Sequence, residues 1–466
     1  MKESPPLKLS DERYWYTEHT ALFVSTVKWA LLGTVAGLCV GFGTRIFLWA
    51  LSTSSLLVKR LEFGGFHYYF LLPLALPACA WLINTFAPTA KGHGTEAVIA
   101  SVHKNFGRTD PRVAPVKLLA TVLTLAFGGS VGKEGPAAQI GAAITSLFAD
   151  VFKLENEDRR RLVICGISAG FAAVFGTPIS GALFGIEVLY LGRLDYTVLF
   201  PAMMAGIVAH LVCGFKPPLP VLNESLGTLS QLDLIFLAVL FGALFGLVAL
   251  TLIETMRAMQ KMLRRFEKYP YIVAAAGGFV LIALYSLAGD SYAGLGIPTI
   301  ESAMAGTAKL FVLAFLFKII ATGVTLETGG SGGIVTPLFF IGSTAGAAVA
   351  HVFHLPEAVF AAFGFVAVVA AAANTPIAAC VMGLELLPPG PVGIYAALCA
   401  CTAFLIVGHH SVYASQKLGM SKSATLDFQL GSSIEELESA EIRIKEGSIT
   451  KWLNRITPWT RRRPQR

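Results

Sequence analysis

One carboxylate stands out for the chemistry that its surroundings allow. Glu134 lies in the run Gly128-Gly129-Ser130-Val131-Gly132-Lys133-Glu134-Gly135-Pro136, and an apolar segment follows. A glycine-rich loop that meets a proline and then an apolar stretch has the layout of a loop entering a helix, because proline suits the first helical turn. The first N–H groups of such a helix have no partner within it and lie at the positive end of its dipole. Glycine lets that backbone approach a ligand closely. Helix ends of this kind attract an anion without a full positive charge, which would hold a transported ion too tightly. The Glu134 carboxylate, flanked by Gly135, can fold back onto the amides an anion would use, and protonation would release them. The plainer alternatives are a snorkelling glutamate paired with Lys133 and glycines that serve helix packing alone.

The same run recurs. Gly329-Gly330-Ser331-Gly332-Gly333-Ile334-Val335-Thr336-Pro337 follows at an offset of 201, and Ile140-Gly141 is matched by Ile341-Gly342. Upstream, Gly92-His93-Gly94 matches Gly294-Leu295-Gly296 at an offset of 202. Downstream, Thr177-Pro178-Ile179 with Gly185, Glu187 and Leu189 matches Thr375-Pro376-Ile377 with Gly383, Glu385 and Leu387 at 198. Three blocks in one order divide the chain into two copies, residues 20–215 and 230–412. A linker at 216–229 joins them, and segments 1–19 and 413–466 flank them. Duplicated halves within a membrane build a site at their interface near the midplane. Inversion of one half against the other is expected, because it brings equivalent helix ends together from opposite leaflets.

Composition says what must position these residues. Of 466 residues 55% are hydrophobic and 14% charged, with mean hydropathy +0.66, whereas a soluble domain has about 25% charged residues. Residues 162–186, 328–356, 358–384 and 386–416 contain no Asp, Glu, Lys or Arg. A membrane helix needs about 20 apolar residues, so the chain is read as an all-α integral membrane protein of tilted and re-entrant helices. Residues 1–15 are polar, unlike a cleaved signal, and the first apolar stretch, 21–51, carries Lys28 and Arg45, which suggests a long or tilted helix. The basic cluster at 451–466 reads as a tail near anionic lipid and not as a nucleic-acid site, which places both termini in the cytoplasm. The seven cysteines, Cys39, Cys165 and Cys399 among them, read as small buried hydrophobes.

Rival chemistries fit less well. Gly-x-Ser-x-Gly occurs at 128–132, 166–170 and 329–333, with His409 or His410 as a candidate base, but two matches are the repeat itself and the third falls in an apolar helix pattern. A serine hydrolase needs a strained strand-to-helix turn, so no enzyme is expected. No zinc motif is present, and no metal or cofactor is expected. A cation-coupled transporter of another fold would place acids in both halves, whereas Ile334 and Val335 stand opposite Lys133 and Glu134.

The motifs Gly-Lys-Glu-Gly-Pro at 132–136, Gly-Gly-Ile-Val-Thr-Pro at 332–337, the segment 92–96 and Ser411-Val412-Tyr413 resemble the CLC family of chloride channels and chloride/proton exchangers over about residues 20–420. The resemblance implies inverted repeats and a homodimer with a separate pore in each subunit, in a bacterial inner membrane. It implies an anion site at Gly92, His93, Gly94, Lys133, Glu134, Gly135, Ile334, Val335 and Tyr413. Glu134 takes the place of the outward-facing gating glutamate, the amides of Ile334 and Val335 hold the central anion, and the Tyr413 hydroxyl donates to it. The transported ligand is chloride, with fluoride as the alternative, and protons if transport is coupled.

Three departures from the family pattern bear on mechanism. His93 replaces a serine, and Thr95-Glu96 lacks the usual proline. Val188 stands where many exchangers of the family carry an internal proton-transfer glutamate, and Glu187 beside it, matched by Glu385, is read as a structural residue at an interface or a helix end. Val335-Thr336-Pro337-Leu338-Phe339-Phe340 resembles the fluoride branch, which usually carries Glu at Ile334's place and lacks Tyr413. The tail, 414–466, is too short for the paired nucleotide-sensing domains of eukaryotic members, and its segment 434–444 is expected to form an amphipathic helix.

Overall fold

The computed structural model describes residues 11–62, 64–215, 229–307, 312–388, 390–439 and 443–444. The basic cluster at 451–466 and nearly all of the linker lie outside these residues. The first half holds α1 (Asp11–Lys59), α2 (Leu72–Phe86), α3 (Thr95–Asn105), α4 (Val113–Ala126), α5 (Glu134–Val151), α6 (Asn156–Phe175), α7 (Pro178–Glu187) and α8 (Leu199–Cys213). The second repeats the series as α9 (Gln231–Leu263), α10 (Pro270–Ala288), α11 (Ile297–Met304), α12 (Ala314–Glu327), α13 (Val335–Val352), α14 (Glu357–Ala372), α15 (Pro376–Leu386) and α16 (Val392–Ile406). Six helices among the described residues are long and apolar enough to cross a membrane. At 49 residues, α1 runs to roughly 74 Å, far more than a bilayer core of about 30 Å requires. It therefore tilts or projects beyond the bilayer, as its internal charges suggested.

Helix packing repeats with the chain. Gly33, Gly37 and Gly41 of α1 lie against carbonyls of α8, and Gly242 and Gly246 of α9 lie against α16. A Cβ on Gly342 or Gly364 would come within 2.0 Å of the other's carbonyl oxygen, so α13 and α14 approach as closely as backbones permit. In the first half Gly141 and Gly166 bring α5 and α6 together in the same way.

The halves also complete each other. Glu385 at the end of α15 accepts the N–H groups of Ile179 at 3.0 Å and Ser180 at 2.8 Å, which open α7. Glu187 at the end of α7 accepts those of Ile377 at 3.0 Å and Ala378 at 2.7 Å, which open α15. Each glutamate therefore caps the helix of the opposite repeat, and the expectation of a helix-end role holds. Ser130 N–H donates to Thr325 Oγ1 at 3.1 Å and Ser331 N–H to Thr124 Oγ1 at 3.0 Å. Two halves related by a twofold axis produce such reciprocal pairs.

Two buried lysines obey the same symmetry. Lys117 of α4 donates to the carbonyls of Ala90 at 3.0 Å and Gly92 at 2.5 Å. Lys318 of α12 donates to those of Tyr292 at 3.0 Å and Gly294 at 2.9 Å. Both are fully buried, and each fixes a Gly-x-Gly turn. Gly92 and Gly94 have φ of 76° and 86°, and Gly294 and Gly296 have 58° and 71°, the left-handed region that glycine enters without strain.

Two expectations need correction. The tail helix α17 spans only Ile434–Ser439, and Arg443–Ile444 instead form a strand antiparallel to Leu426–Asp427. Ile434 and Leu437 of α17 pack with Leu191 and Leu418, so the short helix serves as a plug and its exposed face stays acidic. Among the cysteines Cys401 is exposed and Cys39 and Cys380 are half-buried, although all are free thiols.

Removing either reciprocal cap strands two helix-opening N–H groups. Glu187 is buried and Glu385 half-buried, so Glu187→Ala is expected to cost about 3 kcal/mol and Glu385→Ala about 1 kcal/mol. Unfolding of the purified protein by titration with SDS measures both, and a larger loss for Glu385→Ala would reverse the assignment.

Candidate functional site

The starts of α5 and α13 meet on the axis between the halves. Gly132 N–H donates to the Gly333 carbonyl at 2.5 Å and Gly333 N–H to the Gly132 carbonyl at 2.6 Å. This antiparallel bridge runs the two glycine loops in opposite directions into their helices. The proline of each loop falls in the first turn, Pro136 in α5 and Pro337 in α13.

Glu134 opens α5, but its side chain crosses to α13. Its Oε2 accepts the Thr336 N–H at 3.1 Å and its Oε1 accepts the Thr336 hydroxyl at 2.5 Å. The residue is 2% exposed. A Cβ on Gly132 would lie 2.5 Å from Oε2, so glycine at that position leaves room for the folded-back carboxylate. The N–H groups of Ile334 and Val335 have no backbone acceptor among the described residues. The glutamate thus holds one donor pair at the positive end of α13 and leaves two neighbouring amides open, which is the geometry of an anion and a carboxylate sharing one helix end.

His93 and Tyr413 lie beside these helix starts. A Cβ on Gly135 would come within 2.0 Å of the His93 carbonyl oxygen, so the loop at 92–94 is pressed against the start of α5. The rings of His93 and Tyr413 are 5.4 Å apart, centroid to centroid. His93 Nδ1 is buried without a hydrogen-bond partner in the protein, and Thr95 Oγ1 and the Tyr413 hydroxyl are buried with no partner beyond each other. Buried polar groups are paired as a rule, so three together short of partners mark a place for a ligand. Gly92, His93, Gly94, Glu134, Gly135, Ile334, Val335 and Tyr413 lie on the loops and helix starts that meet here.

Lys133 is the exception. Its Nζ lies 4.0 Å from the centre of the Phe215 ring, and among the described residues it forms no ion pair with Glu134. It lines a cavity of about 470 Å³ together with Arg45 and Phe215. A second cavity, of about 710 Å³, reaches His93 from the other side past Lys91, Glu96, Arg264, Glu267 and Glu327.

Some of the site was not anticipated. Thr336, whose hydroxyl and amide hold Glu134, stood in the repeated block opposite Gly135. Lys117 and Lys318 stand 201 residues apart within apolar stretches, the same offset as the glycine runs, and that spacing was the available signal. Gln416 was also missed: it is fully buried, and its Nε2 donates to the carbonyls of Val188 at 3.0 Å and Ala373 at 3.1 Å. The Gly-x-Ser-x-Gly at 166–170 lies inside α6, not at a strand-to-helix turn.

A family model described as voltage gated chloride channel matches residues 69–408. A chloride/fluoride channel protein of Pseudomonas syringae pv. tomato is 36% identical over 417 residues, covering 87% of this chain and 90% of that protein. An H(+)/Cl(−) exchange transporter of Salmonella typhi is 27% identical, covering 77% and 80%. The crystal structure of a CLC-type fluoride/proton antiporter superposes with a TM-score of 0.77 at 26% identity, covering 84% of this chain and 98% of that one. A slow cyanobacterial Cl−/H+ antiporter superposes at 0.68 and 22% identity, covering 81% and 94%, which speaks for the fold alone. With its matched halves, its bridged helix starts and a family match over most of its length, the chain belongs to the voltage-gated chloride channel (CLC) family, whose members are anion transporters and channels of the membrane and not enzymes.

Proposed function

We propose that this protein exchanges a halide, chloride first, for protons, with Glu134 serving as both gate and proton carrier. The observation that supports this reading is the Glu134 carboxylate on the N–H and hydroxyl of Thr336. As an anion it competes for the positive end of α13; once protonated it is neutral, loses that attraction and yields the place to the halide. The halide binds at the open amides of Ile334 and Val335, and His93 and Tyr413 bound it on the inner side. Lys133 and Arg45 raise the anion concentration at the outer cavity without touching the central site. Fluoride is the second reading. It is favoured by the Thr336 hydroxyl, an extra donor for a small and strongly hydrated ion, and by the name of the Pseudomonas relative.

The homodimer expected of the family would use the apolar faces of α7, α8, α15 and α16, where Ile207, Leu211, Leu384 and Ile394 are exposed. Both termini are assigned to the cytoplasm. The turn from α9 to α10 carries Lys261, Arg264, Arg265 and Lys268, and cytoplasmic loops are enriched in such residues. The inner cavity opens beside that turn, and Ser415 of the tail donates to Glu96 in the wall of the same cavity. We assign the membrane as a bacterial inner membrane, on the strength of the bacterial relatives.

Purified protein in liposomes with a chloride gradient tests the reading through simultaneous records of anion efflux and external pH. The expected result is proton movement driven uphill by the anion gradient; efflux that requires a potassium ionophore and moves no protons would instead mean a passive pathway. Glu134→Gln is expected to abolish proton movement and the pH dependence of efflux while halide still passes. Thr336→Ala removes one hydrogen bond to the carboxylate and should speed halide efflux about fivefold, the equivalent of roughly 1 kcal/mol. Slower efflux in that variant would mean that the hydroxyl serves the halide and not the gate. Repeating the assay with fluoride, His93→Ser should shift the chloride-to-fluoride flux ratio; an unchanged ratio would remove His93 from the selectivity site.

A further inference from the structure

Proton exchange requires a route from the cytoplasm to Glu134, and the position beside Glu187 does not supply one. Val188 is fully buried. Gln416 donates to its carbonyl, Gln416 Oε1 accepts from Asn374 Nδ2 at 3.2 Å, and Asn374 Oδ1 accepts from Lys422 Nζ at 2.6 Å, so two amides and a lysine, with no carboxylate among them, form the network beside Val188. Both oxygens of Glu187 are committed to the N–H groups that open α15.

The inner cavity offers another carboxylate. Glu96 follows His93 by three residues, and Ser415 follows Tyr413 by two, so the contact between them ties together the two segments that bound the halide from inside. Glu96 Oε1 accepts the Ser415 N–H at 2.8 Å and the Ser415 hydroxyl as well. Its Oε2 is buried with no partner in the protein, although the residue itself lines the cavity together with His93. The charged groups around it are Lys91, Arg264, Glu267 and Glu327 in the cavity wall, Lys104 further along α3, and Glu435 on α17. Three cations and three carboxylates leave no dominant field to fix its charge state.

We propose that Glu96 is the cytoplasmic proton acceptor of this transporter. A hydronium in the cavity gives up its proton to Glu96 Oε2. The proton passes by way of His93 and the Tyr413 hydroxyl and ends on the Glu134 carboxylate. His93 and Tyr413 each gain one proton and lose one, so neither changes charge over a complete transfer. This proposal rests on the exchange reading above.

The test is the proton-to-chloride ratio of the full-length protein in liposomes. Wild type, Glu96→Gln, Glu96→Asp and Ser415→Ala are compared at matched protein density. Glu96→Gln keeps the shape and an acceptor for Ser415 but cannot carry a proton, and it should lower the ratio about tenfold or more. Glu96→Asp, which keeps a shortened acid, should give an intermediate ratio and carries the test if the glutamine variant does not fold. Ser415→Ala should leave the ratio unchanged. An unaltered ratio in Glu96→Gln, or in Glu96→Asp where only that variant folds, overturns the proposal. A loss in Ser415→Ala as large as in Glu96→Gln also overturns it, because Glu96 would then act only by anchoring the tail. A wild type that moves no protons removes the exchange reading and this proposal with it, whereas a coupled wild type beside a coupled Glu96→Gln removes this proposal alone.

Discussion

A backbone amide inside a bilayer has no water to turn to, and each unpaired group there costs several kcal/mol. A fold that breaks its helices at membrane depth must find partners for every broken end, and this requirement organises the protein. The N–H groups that open α7 and α15 are taken by glutamates from the opposite half, and the loops ahead of α5 and α13 exchange bonds through Gly132 and Gly333. The loops ahead of α3 and α11 expose carbonyls that Lys117 and Lys318 take up. Among the described residues the amides at Ile334 and Val335 stay open, and His93, Thr95 and Tyr413 bring buried polar side-chain atoms short of partners to the same region.

The symmetry that satisfies the ends is broken at one place. The first half presents Lys133 and Glu134 where the second presents Ile334 and Val335, so a single carboxylate faces a single receptive helix end. Two carboxylates meeting across the axis would repel each other and leave no donor for a halide. In the proposed mechanism one is enough to make the carboxylate and the halide interchangeable occupants, with protonation deciding between them.

Much of this was legible from spacing. Offsets of 198 to 202 between glycine runs exposed the duplication, and the loop-then-proline pattern located the helix starts. The prominence of Glu134 followed from one charge set among glycines. The convergence of His93 and Tyr413 was another matter: they stand 320 residues apart, and only the resemblance to a family joined them before the fold did. The pairing of Glu134 with Thr336 was hidden because threonine is common and its role depends on which way a carboxylate turns. Lys133 was placed by its neighbour in sequence, yet consecutive residues at a helix start point in different directions, and its amine found the face of Phe215. The tail helix was overextended because alternating acidic and apolar residues suit a short helix and a following strand equally well.

The reciprocal glutamate caps bear on how such a chain arose. Glu187 completes a helix of the second half and Glu385 completes one of the first, so neither half closes its own helix ends. A half-length ancestor could meet the same demand by pairing about a twofold axis with a second copy inserted the opposite way across the bilayer. Gene duplication and fusion of such a pair would make its interface permanent and free each copy to lose what the other retained. The solitary Glu134 is the mark of that freedom.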